Sequence, residues 1–407
     1  MRREHAITLF KLGNVWQAND VIAPLAEIGS ARYTDLELGA RLALLTMDLV
    51  RAEKLYTHLA AVTDLDSNQH ERAVNGLVMV YYQSGQFDKA LRLTLPGNDK
   101  QAGSRLTLLK FLQRFQGVPY QTTWQDNNQI AHLPFTNDVH KPGAVPEINI
   151  AVNGHVVLLT LDTGGDRLYL DESVAERAGI RELVMHQAKY AYTKGKLVNE
   201  PWGVADKVVL GGVTLKQVPT VVAQWKANRP TTDGVIGTAL LKQFLSTIDY
   251  DKAEVTLRPR GGSGMTQFLR VMEDRELVRM PFFLTATHLM FAKGQINGHR
   301  GLNLFLDSGL AASMPMVLIN ETTNVLKLKK HAIEGTPYYW SALASHGLSG
   351  LEMGATQALG NVFVEKDNYR SQGFVWDALL SHQYLRKLGS WTIDFDTMSY
   401  FFPAPKE

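Results

Sequence analysis

The chain has 407 residues, 45% of them hydrophobic and 20% charged, with 42 basic against 40 acidic side chains and no cysteine. That balance excludes disordered, fibrous and disulfide-stapled classes. A formal charge of +2 leaves no field that would recruit nucleic acid or an anionic membrane. Without cysteine there is no thiolate nucleophile, iron–sulfur cluster or cysteine zinc site, and no apolar run reaches the ~18 residues of a membrane span.

Met1-Arg2-Arg3-Glu4-His5 lacks the apolar core of a secretory signal. A helical pattern nevertheless begins almost at once, as in a chain whose leader has been removed. With the missing cysteines, this fits an exported protein (periplasmic or secreted) better than a cytosolic one.

Residues 1–115 read as helix after helix. Leu36, Leu38, Leu42, Leu45, Leu49, Leu55 and Leu59 recur at three- and four-residue spacing. Val74, Leu77, Val78, Tyr81 and Tyr82 form the next apolar stripe, stopped by Ser84-Gly85, and a following helix ends at Pro96. Ala18, Ala52 and Ala90 fall at comparable places. The stretch from Leu77 to Ala90, with Tyr81, Gly85 and Ala90 at offsets 0, +4 and +9, resembles a tetratricopeptide repeat. The resemblance implies a helical array that binds a protein partner or substrate. Residues 116–132, rich in Gln, Asn and Thr, read as a linker.

From Leu133 the pattern changes to short β-like runs, and it repeats. Leu133-Pro134-Phe135 returns as Met280-Pro281-Phe282, Asn153-Gly154-His155 as Asn297-Gly298-His299, Leu161-Asp162-Thr163-Gly164 as Leu306-Asp307-Ser308-Gly309, and Thr247-Ile248-Asp249 as Thr392-Ile393-Asp394. The order is conserved between copies at offsets of 144–147 residues, which argues for two homologous β lobes, 133–260 and 277–407. Residues 261–276, opening on Gly261-Gly262-Ser263-Gly264, read as a flexible join.

Each triplet aspartate ends an apolar strand, where a carboxylate is costly unless hydrogen-bonded or sharing its charge. Two such turns related by a pseudo-twofold put Asp162 and Asp307 side by side. Like charges ~3 Å apart cannot both ionise, so the pair holds one proton. One member then serves as base on a water and the other as hydrogen-bond donor to a carbonyl. Thr163, Gly164, Ser308 and Gly309 support the turns. This chemistry needs no metal and no cofactor.

On these residues, the chain from 133 to 403 resembles the retropepsin/pepsin-type aspartic proteases in tandem two-lobed form, most nearly the bacterial retropepsin-like group. The resemblance implies an α+β multidomain protein, a helical array followed by an all-β protease fold with Asp162 and Asp307 as the dyad. It implies that Val235-Ile236-Gly237 braces the first turn, that a flap lies around Tyr192, Thr193 and Gly195, and that an extended peptide occupies the inter-lobe cleft. In the second lobe, aligning Ala239-Leu240-Leu241 with Ala378-Leu379-Leu380 puts Trp376 at the place of Gly237. Leu310 follows the second triplet, and Ala344–Gly350 is the candidate second flap. The expected function is aspartic endopeptidase; the alternatives are an inactive pseudo-protease binding a peptide or ligand, and the same dyad acting on a non-peptide substrate. Tandem lobes make an obligate dimer unnecessary, so a monomer is expected.

Overall fold

The computed structural model describes residues 1–27, 29, 32–93, 104–141, 143–188, 197–227, 229–285, 288–361 and 373–405. It is an α+β chain, with helices first and a large β-rich region after them. Among the described residues no helix is long and apolar enough to cross a membrane.

The helices are α1 (Arg2–Lys11), α2 (Val15–Ile22), α3 (Tyr33–Leu45), α4 (Leu49–Ala60), α5 (Ser67–Gln83), α6 (Phe87–Arg92) and α7 (Ser104–Arg114), each packed on the next. Local signals set their ends. The Asp48 carboxylate caps α4 by accepting from Arg51 N–H, and α5 opens on a reciprocal box between Asp66 and Gln69. Gly85, at φ 70°, ends α5 in the left-handed conformation that glycine adopts without steric cost. Ala18, Ala52 and Ala90 are all fully buried, and Gly76 lies against the Tyr56 ring with no room for a Cβ.

The helical layer shares its apolar core with the β region. Phe10, Val15, Ile22 and Leu42 pack with Phe283, Phe291, Phe305 and Phe374, while Val78, Phe87, Phe111 and Phe115 pack with Val184, Trp202 and Val221. The Trp16 indole N–H donates to the Phe282 carbonyl at 3.2 Å. Among the described residues, 115–121 lead directly from the helices into the first strand. Residues 116–132, expected as a linker, contribute a strand, Gln121–Trp124, paired with residues 213–216, and the start of a second, Ala131–Pro134, paired with Glu254–Leu257. The expected flexible join also differs: Gly262–Val271 is a helix with Phe268 buried against Phe401, and glycine at 264 is required because the Pro259 carbonyl occupies the space of a Cβ.

The β region forms an eight-stranded sheet built from residues 121 to 236 and a larger sheet holding most of the rest. Hairpins turn at Asn153-Gly154 and Asn297-Gly298 with both residues at positive φ, the geometry that two-residue turns between twisted strands demand. Strand His155–Leu161 runs parallel to Gly234–Ile236, and strand His299–Leu306 runs parallel to Ala378–Leu380 in the same register. Phe244–Asp249 pairs antiparallel with Ser390–Asp394 so that Thr247 lies opposite Thr392, their hydroxyls 2.8 Å apart. Asp249 and Asp394 are buried and bond the turns that follow: Asp249 accepts from Lys252 N–H, Asp394 from Asp396 N–H and the Thr397 hydroxyl.

One tie between layers is electrostatically exposed to pH. The buried Lys242 ammonium donates to the backbone and side-chain oxygens of Gln83, at the end of α5. Burial, with the Arg260 charge adding to it, pulls Lys242 down to about 7. An unfolded lysine titrates near 10.4, so between these limits the unfolded chain binds more protons and stability rises with pH. Wild type should therefore gain up to about 1.4 kcal/mol per pH unit from this group between pH 7 and 10. Denaturant unfolding of Lys242→Met across that range should show a shallower rise; an identical slope in both proteins would contradict the assignment.

Candidate active site

The two Asp-[Thr/Ser]-Gly turns sit at the ends of the two strands that run into the core. Leu159, Leu161, Leu304 and Leu306 are all fully buried. The neighbouring short strand holds each aspartate's backbone: Asp162 N–H donates to the Ile236 carbonyl and Asp307 N–H to the Leu380 carbonyl, both at 3.0 Å. Each carboxylate then accepts from the glycine two residues on, Gly164 N–H to Asp162 Oδ1 at 2.7 Å and Gly309 N–H to Asp307 Oδ1 at 3.1 Å.

Between the aspartates and glycines, the hydroxyl residues cross over. Thr163 Oγ1 donates to the Leu306 carbonyl at 2.8 Å and accepts from Ser308 N–H at 3.0 Å; Ser308 Oγ donates to the Leu161 carbonyl at 2.9 Å and accepts from Thr163 N–H at 3.0 Å. Both side chains are completely buried. The exchange draws the turns so close that a Cβ on Gly164 would lie 2.8 Å from Asp307 Oδ2, and one on Gly309 would collide with the Asp162 carboxyl. Glycine is therefore required at both positions by the opposite carboxylate.

The two carboxyl groups hydrogen-bond to one another. Burial first, then the Asp162 charge and that hydrogen bond, push Asp307 well above the usual carboxylate range; the Gly309 N–H and the Arg229 guanidinium pull the other way and do not prevail. Asp307 consequently retains a proton where ordinary carboxylates have lost theirs. Gly237 seals the first turn from behind: its N–H donates to the Arg167 carbonyl at 2.9 Å, and the carbonyls of Arg167 and Gly165 leave no space for a side chain. Next to it, Thr238 Oγ1 donates to the Thr163 carbonyl.

Asp162, Asp307, Thr163, Ser308, Gly164, Gly309 and Gly237 thus converge. Tyr192, Thr193 and Gly195 lie outside the described residues. Ala344–Gly350, expected as a second flap, contains strand His346–Leu348, buried and hydrogen-bonded to residues 294–296, and ends in the exposed turn Ser349-Gly350 that leads back into Leu351–Met353. The expected match of Trp376 to Gly237 also fails. Strand register sets Leu161 against Ile236 and Leu306 against Leu380, which makes Ser381 the counterpart of Gly237 and Asp377 that of Asp233. The two aspartates behave alike: Asp233 Oδ2 accepts from Leu158 N–H and Asp377 Oδ2 from Asn303 N–H. Trp376 packs edge-on against Phe291 at 5.2 Å.

Sequence reasoning missed this Asp233/Asp377 pair, although its 144-residue offset matches the other repeats. It also missed two basic residues with no local signature. His288 hydrogen-bonds the main chain of Gly164; burial lowers its basicity, partly offset by Asp166 and Asp162. Arg229 Nη2 donates to the Gly309 carbonyl at 3.2 Å. The glycine of each turn is therefore contacted by a basic side chain from the other half of the β region. Behind the first turn, burial works against the charge of Asp166, but Arg167 and His288 outweigh it and keep it ionised.

Thr163→Val keeps the shape of the side chain and removes both of its hydrogen bonds. It leaves a buried N–H and a buried carbonyl unsatisfied and should cost about 1–3 kcal/mol for each. Denaturant unfolding measures this; a loss below 0.5 kcal/mol, on the order of a surface substitution, would mean that the exchange contributes nothing.

A family model described as aspartyl protease matches residues 148–240, the part holding the first triplet and Gly237. No curated protein is significantly similar to the chain. Among solved structures, conglutin gamma, a basic 7S globulin from lupine seeds, is 11% identical with a TM-score of 0.40, covering 68% of this chain and 95% of its own. Basic 7S globulin from soybean is 13% identical with a TM-score of 0.41 over the same shares. A retropepsin-like aspartic protease from Rickettsia conorii is 18% identical with a TM-score of 0.23, covering 35% of this chain and 94% of its own. These structural likenesses are weak. The match that bears on the site is the first: residues 148–240 are similar to the aspartyl protease family model.

Proposed function

We propose that the protein is an aspartic endopeptidase whose dyad is Asp162 and Asp307. The observation that carries this reading is geometric: the Thr163/Ser308 exchange sets the two carboxyl groups side by side, each against the glycine of the opposite turn, and burial with the Asp162 charge raises Asp307. With the proton on Asp307, Asp162 is the member left to accept one from water. The water oxygen bonds to the scissile carbonyl carbon as Asp162 takes its proton, and Asp307 gives its proton to the carbonyl oxygen, forming a gem-diol. The proton on Asp162 then passes to the amide nitrogen, the C–N bond breaks, and a diol proton returns to Asp307 as the new carboxyl group forms. Both carboxyls end in their starting states.

In this reading the β region is a tandem, two-lobed pepsin-like fold of the bacterial retropepsin-like kind, active as a monomer. The flap comes from the hairpin containing Tyr192, Thr193 and Gly195, and the helical layer is a tetratricopeptide-like array that positions a protein substrate or partner. The competing idea of a cleft that binds without cleaving drew on Trp376 and Leu310. Strand register sets Ser381, not Trp376, at the counterpart of Gly237, which speaks against the first of those grounds.

Incubating a diverse peptide library between pH 3 and 8 with wild type, Asp162→Asn and Asp307→Asn tests the assignment. Each variant should lose at least about 10²-fold in rate, the usual scale for removing a general acid or base. Wild-type activity should persist above the ordinary carboxylate range, because the raised Asp307 keeps its proton there, and should fall as pH rises through that raised value. Wild-type rates in either variant would refute the dyad.

A further inference from the structure

Arg229 lies beside the dyad in a geometry that suits a ligand. It belongs to the segment between strands Val213–Ala223 and Gly234–Ile236, and that segment is anchored at several points. Lys226 N–H donates to Asp171 Oδ2 and Lys226 Nζ pairs with Asp233 Oδ1, both at 2.8 Å. The Trp225 indole donates to Thr232 Oγ1 at 2.8 Å, and Arg229 N–H closes a turn onto the Trp225 carbonyl at 3.0 Å. The guanidinium carbon stands 5.5 Å from the Trp225 ring centroid, and Nη2 is fixed on the Gly309 carbonyl in the other half.

One of the five N–H groups of Arg229 is thus engaged by a described residue, and the side chain is only half-buried. Among the described residues Arg229 makes no ion pair. Asp307 and Glu147 feel its charge, but neither carboxyl pairs with it directly. A planar, permanently charged fork, pre-positioned on an aromatic face beside the reacting groups, is a carboxylate receptor whose ordering entropy is already spent.

Building on the endopeptidase reading, we propose that Arg229 is a specificity-determining residue: it binds an acidic group of the substrate next to the scissile bond. The preferred substrate is a peptide with Asp or Glu at a residue flanking the cut. A peptide's C-terminal carboxylate offers the same chemistry from another source.

The test uses the full chain and paired peptides that differ only in Glu versus Gln beside the cut, each with a free and an amidated C-terminus. Wild type should show kcat/KM about 10–100-fold higher for the Glu member, the range expected for one charge-assisted pair. In Arg229→Gln the Glu/Gln ratio should fall to about 1, in Arg229→Lys it should be intermediate, and in Arg229→Glu it should invert toward Lys-containing peptides. A ratio that follows the C-terminal amide rather than the side chain would relocate the acidic group to the chain end and overturn the side-chain assignment. No preference in wild type, or a preference that survives Arg229→Gln, would overturn the receptor and leave Arg229 as a clamp between the halves. If no peptide is cut, the endopeptidase reading fails separately, and the same pairs are titrated calorimetrically. Tighter Glu binding that disappears in Arg229→Gln supports the receptor, and equal or absent binding overturns it.

Discussion

Everything at the centre of this molecule depends on four buried hydrogen bonds between two hydroxyl residues and the opposite main chain. Thr163 and Ser308 each donate to a carbonyl and accept an N–H across the boundary between the two repeats. Neither turn satisfies its own buried groups alone, so the halves are locked at one separation and one rotation. That separation brings the carboxyls into hydrogen-bond contact and leaves only the width of a glycine on either side. A weaker junction would let the carboxylates drift apart, and their shared proton would be lost with the proximity that creates it.

The helical layer is part of the same construction. Arg167, five residues beyond Asp162, is buried with its guanidinium 3.8 Å from the Trp202 ring centroid, and its Nε–H donates to the Tyr82 hydroxyl of α5. Burial opposes that charge, yet Asp166, Tyr82 and Tyr169 more than offset it. Asp166 in turn faces His288 and the first turn. A continuous chain of charge and aromatic contacts therefore runs from α5 to the dyad. The helical layer thus shares its core with the β region that carries the paired aspartates.

Much of the site was legible in the sequence because it is repeated. A triplet that occurs twice at a fixed offset, in step with three other motifs, specifies a juxtaposition without any knowledge of the path between. Local punctuation was legible for the same kind of reason: Asn153-Gly154 and Asn297-Gly298 require positive φ, and few residues supply it. The misread parts lack such markers. Gly262–Val271 looks like a spacer by composition, but Phe268 and the close approach at Gly264 make it a packed helix. Within 344–350, hydrogen bonding to the distant residues 294–296 buries His346, Gly347 and Leu348, which no local pattern announces. Trp376 was misplaced by sliding one alignment a few residues, an error that only strand register exposes. Arg229 and His288 come from irregular segments and act across the repeat boundary, so their roles are products of tertiary geometry alone.

The pairing of Thr247 with Thr392 has a consequence for how the chain reaches this structure. Strand Phe244–Asp249 finds one neighbour at once, in the hairpin with Glu254–Pro259, but its other edge waits for residues 390–394. During synthesis that edge is open for well over a hundred residues, a template for any strand of matching register. The best match available is the same strand on another nascent chain, because its true partner is its own repeat. The symmetry that assembles the paired aspartates thus also leaves one strand edge without its native neighbour until the second repeat is complete.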